Sequence, residues 1–359
     1  MSRSSTPHRP HRAKSKALKP TAVDLFSGCG GLTLGLKKAG FHVVGAVDIE
    51  PRAVKTYGMN HPEVTLWKSD IKKLTARKIL KELGLRKGGL DLLAGCPPCQ
   101  GFSSMRTLNG KKAVRDERND LIFEFLRLVK GLRPKAVMME NVPGLIDNRR
   151  MEEFKKGLHG LGYELGRSPT VLNTAHYGVP QRRRRMILMA GRGFSIPFAK
   201  PSRTPKTVEQ TIRGLRPAGR SGDPLHDLPE AHTPDIEDRI ASIPKDGGSR
   251  TDLCEERQLP CHRRFPGGFK DVYGRMRWKD VAPTITGGCA SPSKGRFLHP
   301  EENRCITLRE AALLQSFPKR YKFTLDGGKA AVALMIGNAL PPEFIRRQAA
   351  QIKKELLHR

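Results

Sequence analysis

Thr21-Ala-Val-Asp24-Leu-Phe26-Ser27-Gly28-Cys29-Gly30-Gly31-Leu32-Thr-Leu-Gly-Leu-Lys-Lys-Ala39-Gly40, continued by Phe41-His-Val-Val-Gly-Ala-Val47-Asp48, is the stretch that decides the fold. Ala22 to Phe26 is a short, mostly apolar run that reads as a strand. Ser27 to Gly31 is a tight turn, and Leu32 to Ala39 has helical spacing with Gly40 placed to end it. Phe41 to Val47 reads as a second buried strand that closes at Asp48. The same alternation continues outward. Leu90 to Ala94 is a strand running into Gly95-Cys96-Pro97-Pro98-Cys99, Leu121 to Leu132 a helix, Ala136 to Met139 a strand ending at Glu140, and Met186 to Ala190 a further strand. Strands alternating with helices predict an α/β domain with a parallel sheet.

The chain has 359 residues and carries 66 Lys and Arg against 35 Asp and Glu, a net charge of +31. Such a surplus points to a polyanionic partner, most simply a nucleic acid. No apolar run approaches the length of a membrane-spanning helix. Seven scattered cysteines, an odd number, argue for reduced thiols and a cytoplasmic protein over a disulfide scaffold.

Four regions are expected. Residues 1–20 contain Arg, Lys, His, Pro and Ser but no acid, and read as a disordered basic tail. Residues 21–193 form the catalytic and cofactor-binding domain. After Gly191 periodicity fades and Pro, Gly, Arg and His rise, so residues 194–325 read as a smaller, irregular, basic domain. Residues 326–359 return to the first domain, ending in a helix after Pro341-Pro342.

Four blocks carry chemistry. A glycine-rich turn between strand and helix lets a ligand approach the backbone closely. Asp48, at the end of the next strand, is placed to accept hydrogen bonds from ribose hydroxyls, and Asp70 could meet an adenine amino group. The turn alone is compatible with a dinucleotide or with S-adenosylmethionine. Cys99 follows two stiffening prolines at the carboxyl edge of the sheet, as a positioned nucleophile requires. Cys96 and Cys99 also form a C-x-x-C pair. Cys254, Cys261 and His262 are poorly spaced to complete a zinc site, so no metal is expected. Glu140 follows another strand and could protonate or hydrogen-bond a ring nitrogen. In Gln181-Arg182-Arg183-Arg184-Arg185, alternation along a strand places Arg183 and Arg185 on one face.

In this order the blocks resemble the C5-cytosine DNA methyltransferase family. Asp24 to Gly31 resembles its cofactor motif, Pro97-Pro98-Cys99-Gln100 its nucleophile motif, and Glu140-Asn141-Val142 and Gln181 to Arg185 the next two. Ala282-Pro283-Thr284-Ile285-Thr286, with Leu308-Arg309-Glu310 and Gln315-Ser316-Phe317-Pro318, resembles the penultimate block, and Gly337 to Pro342 the last. The resemblance implies a Rossmann-like, S-adenosylmethionine-dependent methyltransferase sheet domain plus a target-recognition domain. It implies Cys99 as the nucleophile on C6 of a flipped-out cytosine, Glu140 at N3, and Arg185 with Arg183 on the O2 side. The cofactor would be held by Phe26, Ser27, Gly28, Gly30, Gly31, Asp48, Ile49, Asp70, Ile71 and Asn338. Ser103 to Asn119 resembles the family's mobile loop. His176 stands where an Asp is common, which predicts a local packing difference.

The resemblance further implies a double-stranded DNA substrate, a stand-alone enzyme of bacterial type, a monomer, and room for a cognate restriction endonuclease acting on the same site. The alternatives are an RNA-cytosine methyltransferase on the same scaffold, a catalytically silent DNA-binding relative, and a NAD-dependent oxidoreductase. Removing residues 1–20 is expected to weaken DNA binding at low salt while leaving turnover on saturating DNA nearly unchanged. Binding isotherms and single-turnover rates, compared between the truncated and full chains, check this.

Overall fold

The computed structural model describes residues 19–98, 120–202, 204–264, 267–268 and 270–359. Its centre is one eight-stranded sheet in the order β3-β2-β1-β4-β5-β8-β6, with β7 also paired to β8. β1 is Thr21–Leu25, β2 His42–Asp48, β3 Thr65–Lys68, β4 Leu92–Gly95 and β5 Ala136–Asn141, all mutually parallel. β6 is Tyr163–Glu164, β7 Thr170–Asn173 and β8 Arg184–Arg192.

The expectation of a parallel sheet therefore holds for β1 to β5 and not for β8, which runs antiparallel to β5, β6 and β7. The physical reason is the connection. No crossover helix separates β7 from β8, only a short 3-10 turn over Thr174–Tyr177, so the chain must reverse direction. One consequence matters for the site. The start of β8 lies at the same edge as the end of β5, with Asn141 opposite Met186.

The helices form where the sequence periodicity places them. α1 spans Gly31–Ala39 and is stopped by Gly40 at φ 92°, whose N–H reaches back to the carbonyls of Leu36 and Lys37. α2 is Pro51–Asn60, α3 Ala76–Glu82, α4 Leu121–Leu132 and α5 Arg149–Gly160. α4 buries Ile122, Phe125, Leu128, Val129 and Leu132, one face of a helix, against Phe154 of α5 and the sheet. On the other face of the sheet α1 packs against the C-terminal helix. α6 (Leu308–Leu314), α7 (Gly328–Asn338) and α8 (Pro342–Leu357) complete the set used below. Phe344, Ile345, Ala349 and Ile352 of α8 join Leu32 and Leu36 of α1 in that core. A third apolar cluster gathers Trp278, Ile285, Phe317, Val332 and Ile336, and a small fourth one gathers Ile240, Ile243, Tyr273 and Leu298. Among the described residues no helix is long and apolar enough to cross a membrane.

The α1–α8 contact is close enough to exclude one methyl group. A Cβ on Gly35 would stand 2.5 Å from the Ile345 Cβ and 2.7 Å from the Pro342 carbonyl oxygen. Helix propensity alone would favour alanine there by about 1 kcal/mol. Overpacking against backbone costs about 1–3 kcal/mol and should win. Gly35→Ala is therefore expected to lower the urea midpoint, where an exposed helical glycine replaced by alanine would raise it.

Candidate active site

β1 delivers the chain to Phe26, which adopts φ 59°. A bulky residue in the left-handed region is strained and persists only where the surroundings over-determine it. Here they do. The Ser27 N–H donates to the Val47 carbonyl at 3.0 Å, and the Gly28 N–H donates to Asp48 Oδ2 at 2.7 Å. Asp48 Oδ1 accepts a second backbone bond from Glu50 at 2.9 Å. The Asp48 carboxylate thus binds the turn to the end of β2, while burial pushes its pKa above the ordinary range. Ile49 beside it leaves 67% of its surface exposed, an uncovered apolar face at the rim.

The three glycines of the turn are not equivalent. Gly28, at φ 53°, faces open space, with nothing within 4 Å of where a side chain would begin. Gly30, at φ 95°, is crowded by protein: a Cβ there would lie 2.5 Å from the Tyr321 hydroxyl and 2.7 Å from His61 Nε2. A Cβ on Gly31 would lie 2.6 Å from the Leu340 carbonyl oxygen. Ligand approach is open at Gly28, whereas Gly30 and Gly31 admit the segments that follow α6 and α7.

Asp70 stands after β3 and accepts from the Lys72 N–H at 2.9 Å, which opens a short 3-10 turn. Ile71 is buried behind it. Asn338 is the last residue of α7 and is exposed. His176 is also exposed, and its carbonyl accepts from the Ser202 N–H at 2.6 Å.

On the other side of the site, β4 ends at Gly95 and the Cys96 N–H still donates to Leu25 at 3.3 Å. Asn141 Nδ2 donates to the Pro97 carbonyl at 2.9 Å, which fastens this loop to the end of β5. Cys99 and the segment Ser103 to Asn119 lie outside the described residues. Glu140 is buried and pairs with Arg185 Nε at 2.9 Å. The Cys96 thiol is pushed well above its ordinary range by burial, then by the charges of Glu140 and Asp24. A thiol so disfavoured as thiolate is a poor nucleophile.

Exposure alternates from Gln181 to Arg185, but β8 begins only at Arg184, so Arg183 lies before the strand that carries Arg185. Arg182 and Arg184 are exposed, Arg182 paired with Asp280 at 2.9 Å, while Arg183 is buried. Arg183 does not reach toward Glu140 with its terminal nitrogens. Nη1 donates to the Ile285 carbonyl and Nη2 to the Gly337 carbonyl, each at 2.9 Å. Burial, reinforced by Arg185, lowers its pKa to about 9. Gln181 Nε2 donates to Gln315 Oε1 at 2.9 Å, its Oε1 accepts from the Ile285 N–H at 2.9 Å, and Gln315 Nε2 donates to Ile336 at 2.7 Å.

Two residues stood inside motif blocks of the sequence without an individual role. One is Gln315, whose signal was a glutamine closing the apolar run Ala311 to Leu314. The other is Asp24, which is completely buried at the end of β1 and held by Thr33 Oγ1 at 2.7 Å. Its signal was a carboxylate inside an apolar strand. Burial raises its pKa to about 7. Asp24 Oδ1 and Ser27 Oγ are buried with no hydrogen-bond partner. Two such atoms beside an open glycine, a ribose-height carboxylate and an exposed isoleucine fit a nucleoside cofactor that carries further polar groups.

A Rossmann-like sheet carries a glycine turn after β1 and, two strands away at the end of β5, the Glu140–Arg185 pair, the layout of an α/β enzyme with its site at the carboxyl edge of the sheet. The C-5 cytosine-specific DNA methylase profile matches residues 21–354. Over 347 residues the chain is 37% identical to the type II methylase M.HgiDII of Herpetosiphon aurantiacus, covering 93% of this chain and 95% of that one. It is 34% identical to the type II methyltransferase M1.HphI of Haemophilus parahaemolyticus, covering 93% and 87%. A DNA modification methyltransferase encoded within an Escherichia coli prophage superposes with a TM-score of 0.72 at 25% identity, covering 95% of this chain and all of that one. Spodoptera frugiperda DNMT2 shares the fold with a TM-score of 0.61 at 19% identity. The chain belongs to the C-5 cytosine-specific DNA methylase family, and is a DNA cytosine-5-methyltransferase.

The buried Asp24 makes stability depend on pH with a definite sign. Its folded pKa lies above its unfolded value, so the folded state binds the extra proton between about pH 4 and pH 7. The stabilisation is complete below pH 4 and is lost as the pH rises through 7. Asp24→Asn cannot titrate. Its stability relative to wild type is expected to rise across that window by up to about 1.4 kcal/mol per pH unit, then level off. Urea unfolding of both proteins from pH 4.5 to 8 measures the difference, and a constant offset would contradict a raised Asp24.

Proposed function

We propose that this enzyme methylates C5 of a flipped-out cytosine within one short duplex sequence, with S-adenosylmethionine as methyl donor and Cys99 as nucleophile. The observation that carries the reading is the Glu140–Arg185 pair, 2.9 Å apart and largely buried. It stands on the strand-end row that also bears the cofactor turn. The bound cofactor supplies a methyl group on a positively charged sulfur.

Everything else falls to the chain. With the cofactor bound, Phe26 and Ile49 would flank the adenine, Asp48 would accept from the ribose, Asp70 would meet the adenine amino group, and Ile71 and Asn338 would close the pocket. Gly28 leaves room at the turn, Gly30 and Gly31 let the C-terminal segments close behind it, and Ser27 offers a free hydroxyl. Cys99 adds as thiolate to C6 of cytosine, forming an S–C6 bond and moving the ring electron pair toward C5. Glu140 hydrogen-bonds or protonates N3, which neutralises charge entering the ring. Arg185 orients Glu140 and faces O2. Arg183 supports Arg185 from behind by holding the backbone at Ile285 and Gly337. Once the ring carries its methyl group, a base removes the C5 proton, the C5–H electron pair re-forms the C5–C6 double bond as the S–C6 bond breaks, and N3 returns any proton it took to Glu140, which restores the thiolate and the carboxylate.

A base stacked in a duplex is out of reach of this edge, so the cytosine must leave the helix. Unstacking and unpairing one base costs a few kcal/mol, which contacts to the extruded ring can offset. Residues 21–193 with 326–359 form the catalytic part, and residues 194–325 read the target, with Gln315 and Tyr321 of that region reaching back into the catalytic part. We assign the enzyme to the cytoplasm as a monomer, with room for a cognate endonuclease acting on the same site.

Expression in a host without cytosine methylation, with base-resolution mapping of 5-methylcytosine, tests the reading. Methylation confined to one short sequence is expected from wild type, and none from Cys99→Ser. Undiminished methylation by that variant would remove Cys99 from the mechanism. Host DNA free of 5-methylcytosine would remove this base in DNA as the substrate.

A further inference from the structure

The catalytic groups line the carboxyl edge of the parallel strands. The amino edge carries a cleft of about 790 Å³, formed by the loop of residues 84–89, Lys135 at the start of β5 and Arg192 at the end of β8. Backbone bonds hold its walls: Gly88 N–H to Leu132 at 2.9 Å, Lys135 N–H to Leu90 at 2.9 Å and Arg192 N–H to Lys135 at 2.8 Å. Three of the lining residues, Gly84, Gly88 and Gly89, have no side chain to fill it.

The walls are cationic. Arg86 and Lys87 are exposed, and Arg192 is half-buried, as is the neighbouring Arg133. Lys135 is paired with Asp91 at 2.7 Å, and Asp91 is further occupied by the Thr21 N–H at 2.7 Å. None of the side chains of Arg86, Lys87, Arg133 and Arg192 makes an ion pair or a hydrogen bond with another described residue. The Arg192 guanidinium lies across the loop, 3.6 Å from where a Gly88 Cβ would stand. Arg133 and Arg192 both act electrostatically on the buried Tyr163 hydroxyl, so their charges converge on one region. Half-buried guanidinium groups left without acceptors are unfavourable, and a phosphate supplies several acceptors at once.

We propose that this cleft is a second DNA-backbone contact, which holds a duplex segment other than the one at the catalytic edge. A strand of five or so residues at about 3.3 Å each separates the two edges by roughly 15–20 Å. The cleft lies at the opposite end of the strands from Glu140, so the DNA seated there is proposed to be a segment distinct from the one whose cytosine enters the site. The enzyme's substrate is itself a long polyanion, which makes another stretch of the same DNA the occupant with matching charge. An enzyme holding two segments can pass between them without full release.

The test uses the full-length enzyme saturated with an unlabelled short duplex, to which a second, fluorescent duplex is added at low salt. Wild type is expected to bind the second duplex. Arg86→Glu/Lys87→Glu should bind it at least tenfold more weakly, with the salt exponent for that event reduced by about two. Arg192→Gln should weaken it too, while methyl transfer on a short duplex stays within twofold for both variants. No binding of a second duplex by wild type, or equal binding by the charge-reversed variant, overturns the proposal. Titration with inorganic pyrophosphate is the control. Pyrophosphate bound by wild type, with no second duplex bound, would make the cleft a small-anion site and overturn the DNA assignment.

Discussion

Three side chains, two from the entry to β8 and one from the end of α6, hold the site together. Gln181, Arg183 and Gln315 form one buried network that clasps the backbone at Ile285, Leu314, Ile336 and Gly337. It ties the β8 entry that carries Arg185 to the α7 end that carries Asn338. The network is strong because it is almost fully satisfied in a dry interior. It is fragile for the same reason, since each partner removed leaves a buried polar group costing about 1–3 kcal/mol. Arg183 Nε is the exception, buried and without a partner.

Electrostatics then divides the labour among neighbouring groups. Asp24, Asp48 and Glu140 all stand at the ends of adjacent or nearby strands, yet their surroundings differ. Asp24 has one hydroxyl donor and complete burial, which favours its protonated form. Asp48 has two backbone donors and serves the turn. Glu140 has a guanidinium 2.9 Å away. Cys96, among the same carboxylates, is held as a thiol. Chemical type alone would not have separated these roles; local donors and burial do.

The net charge of +31 overstates what the surface offers to DNA. Arg183, Arg250 and Arg275 are buried. Arg275 donates to the carbonyls of Ile240, Ile243, His299 and Glu302, and so organises a small cluster whose apolar core is thin. Arg309 is tied to Asp223, and Arg304 to Glu302 and Glu310. In the irregular region arginine partly replaces the missing hydrophobic core, because its five donors can gather loop carbonyls that no sheet or helix satisfies.

The sequence by itself determined the strand–turn–helix units, the extent of α4, the stop at Gly40 and the family, since these rest on short-range periodicity, turn chemistry and motif order. It also placed Glu140 and Arg185 at strand ends, and the structure brings them into contact. What only the tertiary structure decided depends on groups far apart in the chain. Gln181 meets Gln315 across 134 residues, and Arg183 meets Gly337 across 154. The reversal of β8, the crowding that separates Gly30 and Gly31 from Gly28, and the complete burial of Asp24 likewise follow from packing. Local pattern specifies which face a residue shows; only the packed chain specifies what that face meets, because solvent exclusion and long-range hydrogen bonds exist nowhere in a single segment.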